Sequence, residues 1–226
     1  MRHKKSGTQE SFKIIKPIFT PRTEHQKQLV EIIDKSVITI VNGPAGSGKT
    51  FVSAAIGLQM LMRKDIERLI ITRPAVEAGE NLGYLPGSHT EKLRPYMDPI
   101  FDVLNLFLGY SDINTLQNNG KIVISPLAYM RGRTFDNCMI IVDEAQNCTM
   151  KQLKMAITRV GQNSKIIVNG DTTQSDISNN TALETHIIKL RLVDKRISVF
   201  EFDNNDIIRN EVIDIYLEAM NICLPQ

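Results

Sequence analysis

Gly43-Pro44-Ala45-Gly46-Ser47-Gly48-Lys49-Thr50 is the stretch of this chain whose residue types and spacing can do chemistry. Glycines let the backbone curl so that successive N–H groups point at one anion, and a helix start beyond them adds partial positive charge. Lys49 is placed to reach the β- and γ-phosphates of a nucleoside triphosphate, and the Thr50 hydroxyl to ligate Mg²⁺. Phe51 follows directly and is taken with the loop as a nucleotide neighbour. Asp143-Glu144 closes a second apolar run. Alone, such a pair reads as a solvated turn. Beside a complete phosphate loop, Asp143 reads as the metal-side partner of Thr50, and Glu144 as the residue that orients or deprotonates the attacking water.

Six further residues carry two readings each. Gln174 follows a Gly170-Asp171 turn, as a γ-phosphate sensor or as a turn residue. Gln26 presents the paired donor and acceptor that read an adenine edge, yet Thr23 to Gln26 also has capping-box spacing. Arg209 has the chemistry of a finger for phosphoryl transfer, in cis or from a neighbouring subunit, and equally that of a surface charge. Arg73, Arg131 and Arg133 are loop arginines suited to the phosphates of ATP or of a nucleic-acid strand, although loop arginines are commonly just solvated. Only Tyr129 stands near them for base stacking.

The elements that must position these residues follow from apolar periodicity. Val37 to Val41, Arg68 to Thr72, Lys121 to Ser125, Met139 to Asp143, Lys165 to Asn169 and Ile197 to Phe202 read as strands. Helices are expected from Glu24 to Lys35, after the glycine loop, from Pro95 to Leu108, from Thr149 to Val160 and from Asp206 to Met220. The stripe of Ile100, Phe101, Leu104, Phe107 and Leu108 reads as core or subunit contact. Arg73 to Thr90 is a long glycine-containing connection and ranks as a working surface. Apolar strands alternating with helices predict a mostly parallel sheet covered on both faces, with ligands at the carboxyl ends of the strands. The expected class is α/β, a P-loop NTPase of RecA-like type.

The chain has 226 residues, 42% of them hydrophobic, which suits a single domain over 21–226 behind a basic tail over 1–20. A formal net charge of +2 gives no global basic field. Cys138, Cys148 and Cys223 lack metal-ligand spacing and are too few for a disulfide framework. No run is long enough to span a bilayer, and no signal-peptide pattern follows the basic start. A cytoplasmic protein without a membrane partner is the expectation.

With these residues in view, the chain resembles the PhoH family of P-loop ATPases, itself similar to the first motor domain of superfamily 1 helicases. The resemblance runs from about Pro21 to Ala219 and rests on Pro21-Arg22-Thr23 to Gln26, the glycine loop, Thr72-Arg73-Pro74, and Gly79 through Leu82-Gly83-Tyr84-Leu85-Pro86-Gly87. It continues in Lys92, Pro95-Tyr96, Leu127-Ala128-Tyr129-Met130-Arg131-Gly132-Arg133-Thr134, Asp143-Glu144-Ala145-Gln146-Asn147 and Gly170-Asp171 to Gln174. The chain departs from the family after Gln174, where Asp176-Ile177-Ser178 leads into Asn179-Asn180-Thr181. The resemblance implies an adenine contact at Gln26, a γ-phosphate sensor at Gln174 and a nucleotide-side arginine at Arg209. It also implies ring-like homo-oligomers, expected to be hexamers, with ATP near subunit boundaries. Some relatives carry an added N-terminal nuclease or RNA-binding domain; residues before Pro21 are too few for either.

The function these readings imply is Mg²⁺-dependent ATP hydrolysis, coupled to RNA or single-stranded DNA. The alternatives are a small-molecule kinase and a nucleotide-gated assembly module with slow turnover.

Overall fold

Six short runs dominated by β-branched and other apolar residues become the strands of one sheet: β1 (Ile38–Asn42), β2 (Arg68–Arg73), β3 (Ile122–Pro126), β4 (Cys138–Val142), β5 (Lys165–Gly170) and β6 (Ile197–Glu201). The structure is a computed structural model that describes residues 19–74, 89–177, 181–191 and 193–207. The spatial order is β3-β2-β4-β5-β1-β6 and every pairing is parallel. All six carboxyl ends therefore face the same way, and residues far apart in sequence meet along one rim.

Alternation along the strands divides the core into two. Val41, Leu69, Ile71, Met139, Ile141 and Ile167 point to one face, where they pack with α1 (Glu24–Lys35), α2 (Lys49–Arg63), α3 (His89–Asn105) and α4 (Tyr110–Asn118). Ile40, Ile70, Ile140, Val142, Ile166 and Val168 point to the other, under α5 (Met150–Ile157), α6 (Ala182–Leu190) and the 3-10 turn Leu127–Met130. A sheet buried on both faces needs continuous apolar runs, which is why these strands are readable without alternation in their composition. The Ile100, Leu104 and Leu108 stripe is core. Among the described residues no helix is long and apolar enough to cross a membrane.

Local signals set several boundaries. Thr23 accepts the Gln26 N–H at 3.1 Å and opens α1 at the position its sequence predicts. The far end of α1 is closed by tertiary structure: Lys165 Nζ donates to the carbonyls of Ile33, Asp34 and Ser36 at 3.0, 2.7 and 2.8 Å. Burial lowers the pKa of that ammonium.

Three expectations differ from the observed elements. Pro95 reads as a helix start, but α3 begins at His89 and runs through it. The helix α4 has no counterpart in the sequence reading, because only Ile113 and Leu116 of its nine residues are buried, too narrow a stripe to register as periodicity. Nor has α6: its buried Ala182, Leu183, His186 and Ile187 follow a polar Asn-Asn-Thr lead that reads as loop. Asp206 lies in a 3-10 turn, Asn204–Asp206. The rest of the expected last helix, Arg209 included, lies outside the described residues, as do 75–88 of the long connection and most of the basic tail.

The capping box at α5 gives a direct test. Gln152 N–H donates to Thr149 Oγ1 at 3.3 Å, and Thr149 N–H to Gln152 Oε1 at 2.8 Å. Thr149→Ala is expected to cost about 1 kcal/mol of unfolding free energy, read as a lower midpoint in urea; an unchanged midpoint would refute this account of the helix start.

Candidate functional site

At the carboxyl end of β1 the chain turns into α2 through a loop that tolerates little side-chain bulk. A Cβ on Gly43 would lie 2.6 Å from Phe202 Cβ, so the loop and the residue after β6 touch backbone to backbone. Gly48, at φ 89°, supplies a left-handed residue immediately before the helix. Among the described residues no side chain caps α2, and its first turn holds no acidic residue. Its leading N–H groups, Phe51 among them, are chemically suited to an anion. Lys49 Nζ folds back to donate to Gly43 O at 2.7 Å and Pro44 O at 2.8 Å. Ser47 Oγ braces the same Pro44 carbonyl at 2.8 Å. Burial pushes the Lys49 ammonium below its usual range, while Asp171, Glu144 and Asp143 pull it back up.

Asp143, 1% exposed, follows β4 and meets this loop directly: the Thr50 hydroxyl donates to its Oδ1 at 2.6 Å. Arg73, the last residue of β2, donates from Nε to Asp143 Oδ2 at 3.0 Å and from Nη2 to Glu144 Oε1 at 3.1 Å. Glu144 adopts a left-handed backbone, φ 54° and ψ 43°. Its other carboxylate oxygen accepts Gln146 Nε2 at 2.6 Å, and Gln146 Oε1 accepts the Asp171 N–H at 3.1 Å. The Gln146 amide therefore joins the end of β4 to the end of β5 in one orientation only. Asn147 repeats the arrangement one residue on, pairing with Asp176 N–H at 2.8 Å and Asp176 Oδ2 at 2.6 Å. Together they hold the segment that carries Gln174.

A cavity of about 310 Å³ lies between these ends. Ala45, Gly46, Gly48, Lys49, Thr50 and Phe51 line one side; Asp143, Glu144, Gln146, Asn169, Gly170, Asp171 and Gln174 line the other. Among the described residues, Asn169 Nδ2 and Asp171 Oδ2 are buried without a hydrogen-bond partner. Unmet polar groups of this kind are costly unless a polar ligand answers them.

Most of the residues singled out from sequence come together here. Lys49, Thr50, Asp143, Glu144 and Gln174 share the cavity wall. Gln26 is 3% exposed beside the loop, its Nε2 3.3 Å from where a Gly48 Cβ would be. Its Oε1 accepts the Arg22 N–H at 2.8 Å, so it completes neither the expected box with Thr23 nor any part of the cavity wall. Arg73 belongs to the carboxylate cluster. Arg131 and Arg133 stand exposed in the turn after β3, with Arg133 4.8 Å over the Phe135 ring. Residue patterns do not single out Gln146, Asn169 or Asp171. The available signal is a polar residue ending an otherwise apolar buried strand, as in Ile166-Ile167-Val168-Asn169.

The outer side of the loop is held by the segment after β6. A Cβ on Gly46 would meet Ile207 at 3.4 Å, and Asp206 is tied to α1 by His25 Nδ1 at 2.7 Å from Asp206 Oδ2. That pair raises the His25 pKa from 6.5, chiefly through the hydrogen bond and then the charge of Asp206. The donor set of the cavity fits a hard divalent cation. The Thr50 hydroxyl and the Asp143 carboxylate are adjacent oxygen donors of the kind such a cation takes, and both line the cavity with Lys49.

A family model described as PhoH-like protein matches residues 18–221. A PhoH-like protein from Synechocystis is 44% identical over 203 residues, covering 89% of this chain and 62% of that protein. Protein PhoH of Escherichia coli is 40% identical over 201 residues, covering 88% of this chain and 57% of its own. The chain thus spans about three fifths of the length of these curated relatives. Among solved structures, a large terminase from a thermophilic bacteriophage superposes with a TM-score of 0.53 at 13% identity, covering 87% of this chain and 50% of that one. That likeness shows the fold, a P-loop α/β sheet.

The His25–Asp206 tie predicts a pH signature. Because the folded pKa lies above 6.5, the tie stabilises fully below about 6.5 and its contribution fades as pH rises through the folded value. The stability advantage of the wild type over His25→Ala should be larger at about pH 5.5 than at about pH 8.5 in denaturant titrations; an advantage independent of pH would contradict it.

Proposed function

This chain belongs to the PhoH family, and from that premise we propose that it is a Mg²⁺-dependent ATPase, cleaving the β–γ anhydride of ATP and coupled to RNA or single-stranded DNA. The observation that carries the reading is the 2.6 Å contact between Thr50 and Asp143, which brings the phosphate loop and the end of β4 to one cavity with Glu144 at its edge.

Each residue then has a chemical task. The leading N–H groups of α2 bind the phosphates, and Lys49, folded on two loop carbonyls, swings forward to the β- and γ-oxygens. Thr50 and Asp143 would hold Mg²⁺, which would supply positive charge to offset the negative charge that develops on the transferring phosphoryl group. Glu144 orients and deprotonates the attacking water, with Gln146 fixing the rotation of its carboxylate. Gln174, exposed on the cavity rim, contacts the γ-phosphate. Gln26 stands beside the loop for the adenine. Arg209 acts as the finger in a homo-oligomeric ring, a hexamer in this reading, where the neighbouring subunit supplies the wall that a second motor domain provides in helicases.

Nucleic acid is assigned to the rim beyond β3, where Arg131 and Arg133 are exposed and Tyr129 offers a half-exposed ring for stacking. Phosphate contacts from two arginines without base-edge readout fit sequence-tolerant binding of a single strand.

Glu144→Gln should leave ATP binding intact and lower kcat about 10²- to 10⁴-fold, followed by phosphate release and by fluorescent-nucleotide binding; turnover near the wild-type rate would sink the role of Glu144. RNA or single-stranded DNA should stimulate wild-type turnover. Replacing Arg131 and Arg133 together by alanine should abolish that stimulation, and stimulation that survives the double change would remove the arginines from the interface.

A further inference from the structure

Arg73 sits between Asp143 and Glu144, the two carboxylates that the ATPase reading employs. Its side chain is 16% exposed, while the Asp143 side chain is 2% exposed. Nη2 lies 2.9 Å from Asp143 Oδ2 and 3.1 Å from Glu144 Oε1, and Nε donates to the same Asp143 oxygen at 3.0 Å. One guanidinium thus spans both acidic groups. The remaining oxygens are also engaged, Asp143 Oδ1 by Thr50 and Glu144 Oε2 by Gln146. Every oxygen of the pair accepts a protein donor.

A buried carboxylate of this kind needs a cation, and removing one partner of such a pair leaves an uncompensated charge. It does not need two. A divalent ion on Asp143 would stand within a few ångströms of the guanidinium, and like charges at that distance in a desolvated site repel strongly. Arg73 also occupies the Glu144 oxygen that faces away from Gln146, the one not held by the amide that fixes its rotation.

We propose that Arg73 is a counter-ion that competes with the divalent cation: its guanidinium and the metal exclude one another from Asp143 and Glu144, so that binding of the metal displaces the arginine from both. The ATPase reading supplies the identity of the cation as Mg²⁺; the exchange itself requires only these contacts. By linkage, whatever factor the metal imposes on the arginine contact, the arginine imposes on metal binding. Arg73 therefore keeps the hydrolytic pair switched off until metal arrives. β2 is in register with β3 at Arg73 opposite Pro126, directly before the turn that leads to Arg131 and Arg133.

A purely structural salt bridge between β2 and β4 predicts the opposite sign. If Arg73 only positions Asp143, its loss weakens metal binding; if it competes, its loss tightens it. The test is Mn²⁺ binding to the full chain without nucleotide, read by electron paramagnetic resonance, for the wild type, Arg73→Gln, and Arg73→Gln combined with Asp143→Asn. Arg73→Gln should bind Mn²⁺ about tenfold more tightly, with the gain erased by Asp143→Asn and reversed by Mg²⁺ competition. Equal or weaker Mn²⁺ binding by folded Arg73→Gln overturns the proposal. Should Arg73→Gln fail to fold, the wild type decides: the Arg73 Nε–H, protected from solvent exchange by Asp143, should lose that protection at saturating Mg²⁺, and retained protection overturns the exchange. ADP binding at saturating Mg²⁺ is measured beside these. Absence of ADP binding there, with the metal exchange intact, would sink the ATPase reading alone.

Discussion

A carboxylate buried at the end of β4 is the constraint around which this molecule is assembled. Asp143 is 1% exposed, and a carboxylate taken out of water must be met by donors. They come from two other strand ends: the Thr50 hydroxyl from the helix after β1, and the Arg73 guanidinium from the end of β2. The Asp143 N–H in turn donates to Thr72 O at 2.8 Å. The phosphate loop, β2 and β4 are thereby locked at the rim where a ligand would sit, and any ligand must work with a charge balance already in place.

Glu144 shows what that placement costs. Its backbone is left-handed, a conformation that disfavours a side chain with a Cβ by roughly 1–2 kcal/mol. Strain of this kind persists only where surroundings over-determine it. Here the surroundings are Gln146 and Arg73, which hold the two carboxylate oxygens from opposite sides. Gln146 then passes the geometry on, because its amide carbonyl accepts the Asp171 N–H and its backbone carbonyl accepts the Ser175 hydroxyl at 3.1 Å. A short path of hydrogen bonds thus links the segment carrying Gln174 to Glu144.

The rim also has a back wall. Phe202 packs on Gly43, Ile207 approaches Gly46, and His25 anchors Asp206 to the first turn of α1. The loop that would grip phosphate is supported from outside by a segment from the far end of the described chain. The parallel sheet makes this contact direct: β6 lies beside β1, so its exit passes the loop.

The sequence by itself determined the six strands, the phosphate loop, the α1 cap and the Asp143–Glu144 pair. Each rests on local chemistry: β-branched runs, glycines at fixed spacing, side chains that cap their own helix. Only the tertiary structure decided the strand order, the helices α4 and α6, and the partners of the acidic pair. A two-residue stripe such as Ile113 and Leu116 becomes a helix face only when a sheet stands ready to bury it. Arg73 reads as a loop arginine because nothing in its local sequence names a partner; the carboxylates it holds lie 70 and 71 residues away. Gln146, Asn169 and Asp171 acquire roles for the same reason. Hydrogen-bond partners across parallel strands are set by register between distant segments, and register is a property of the folded sheet.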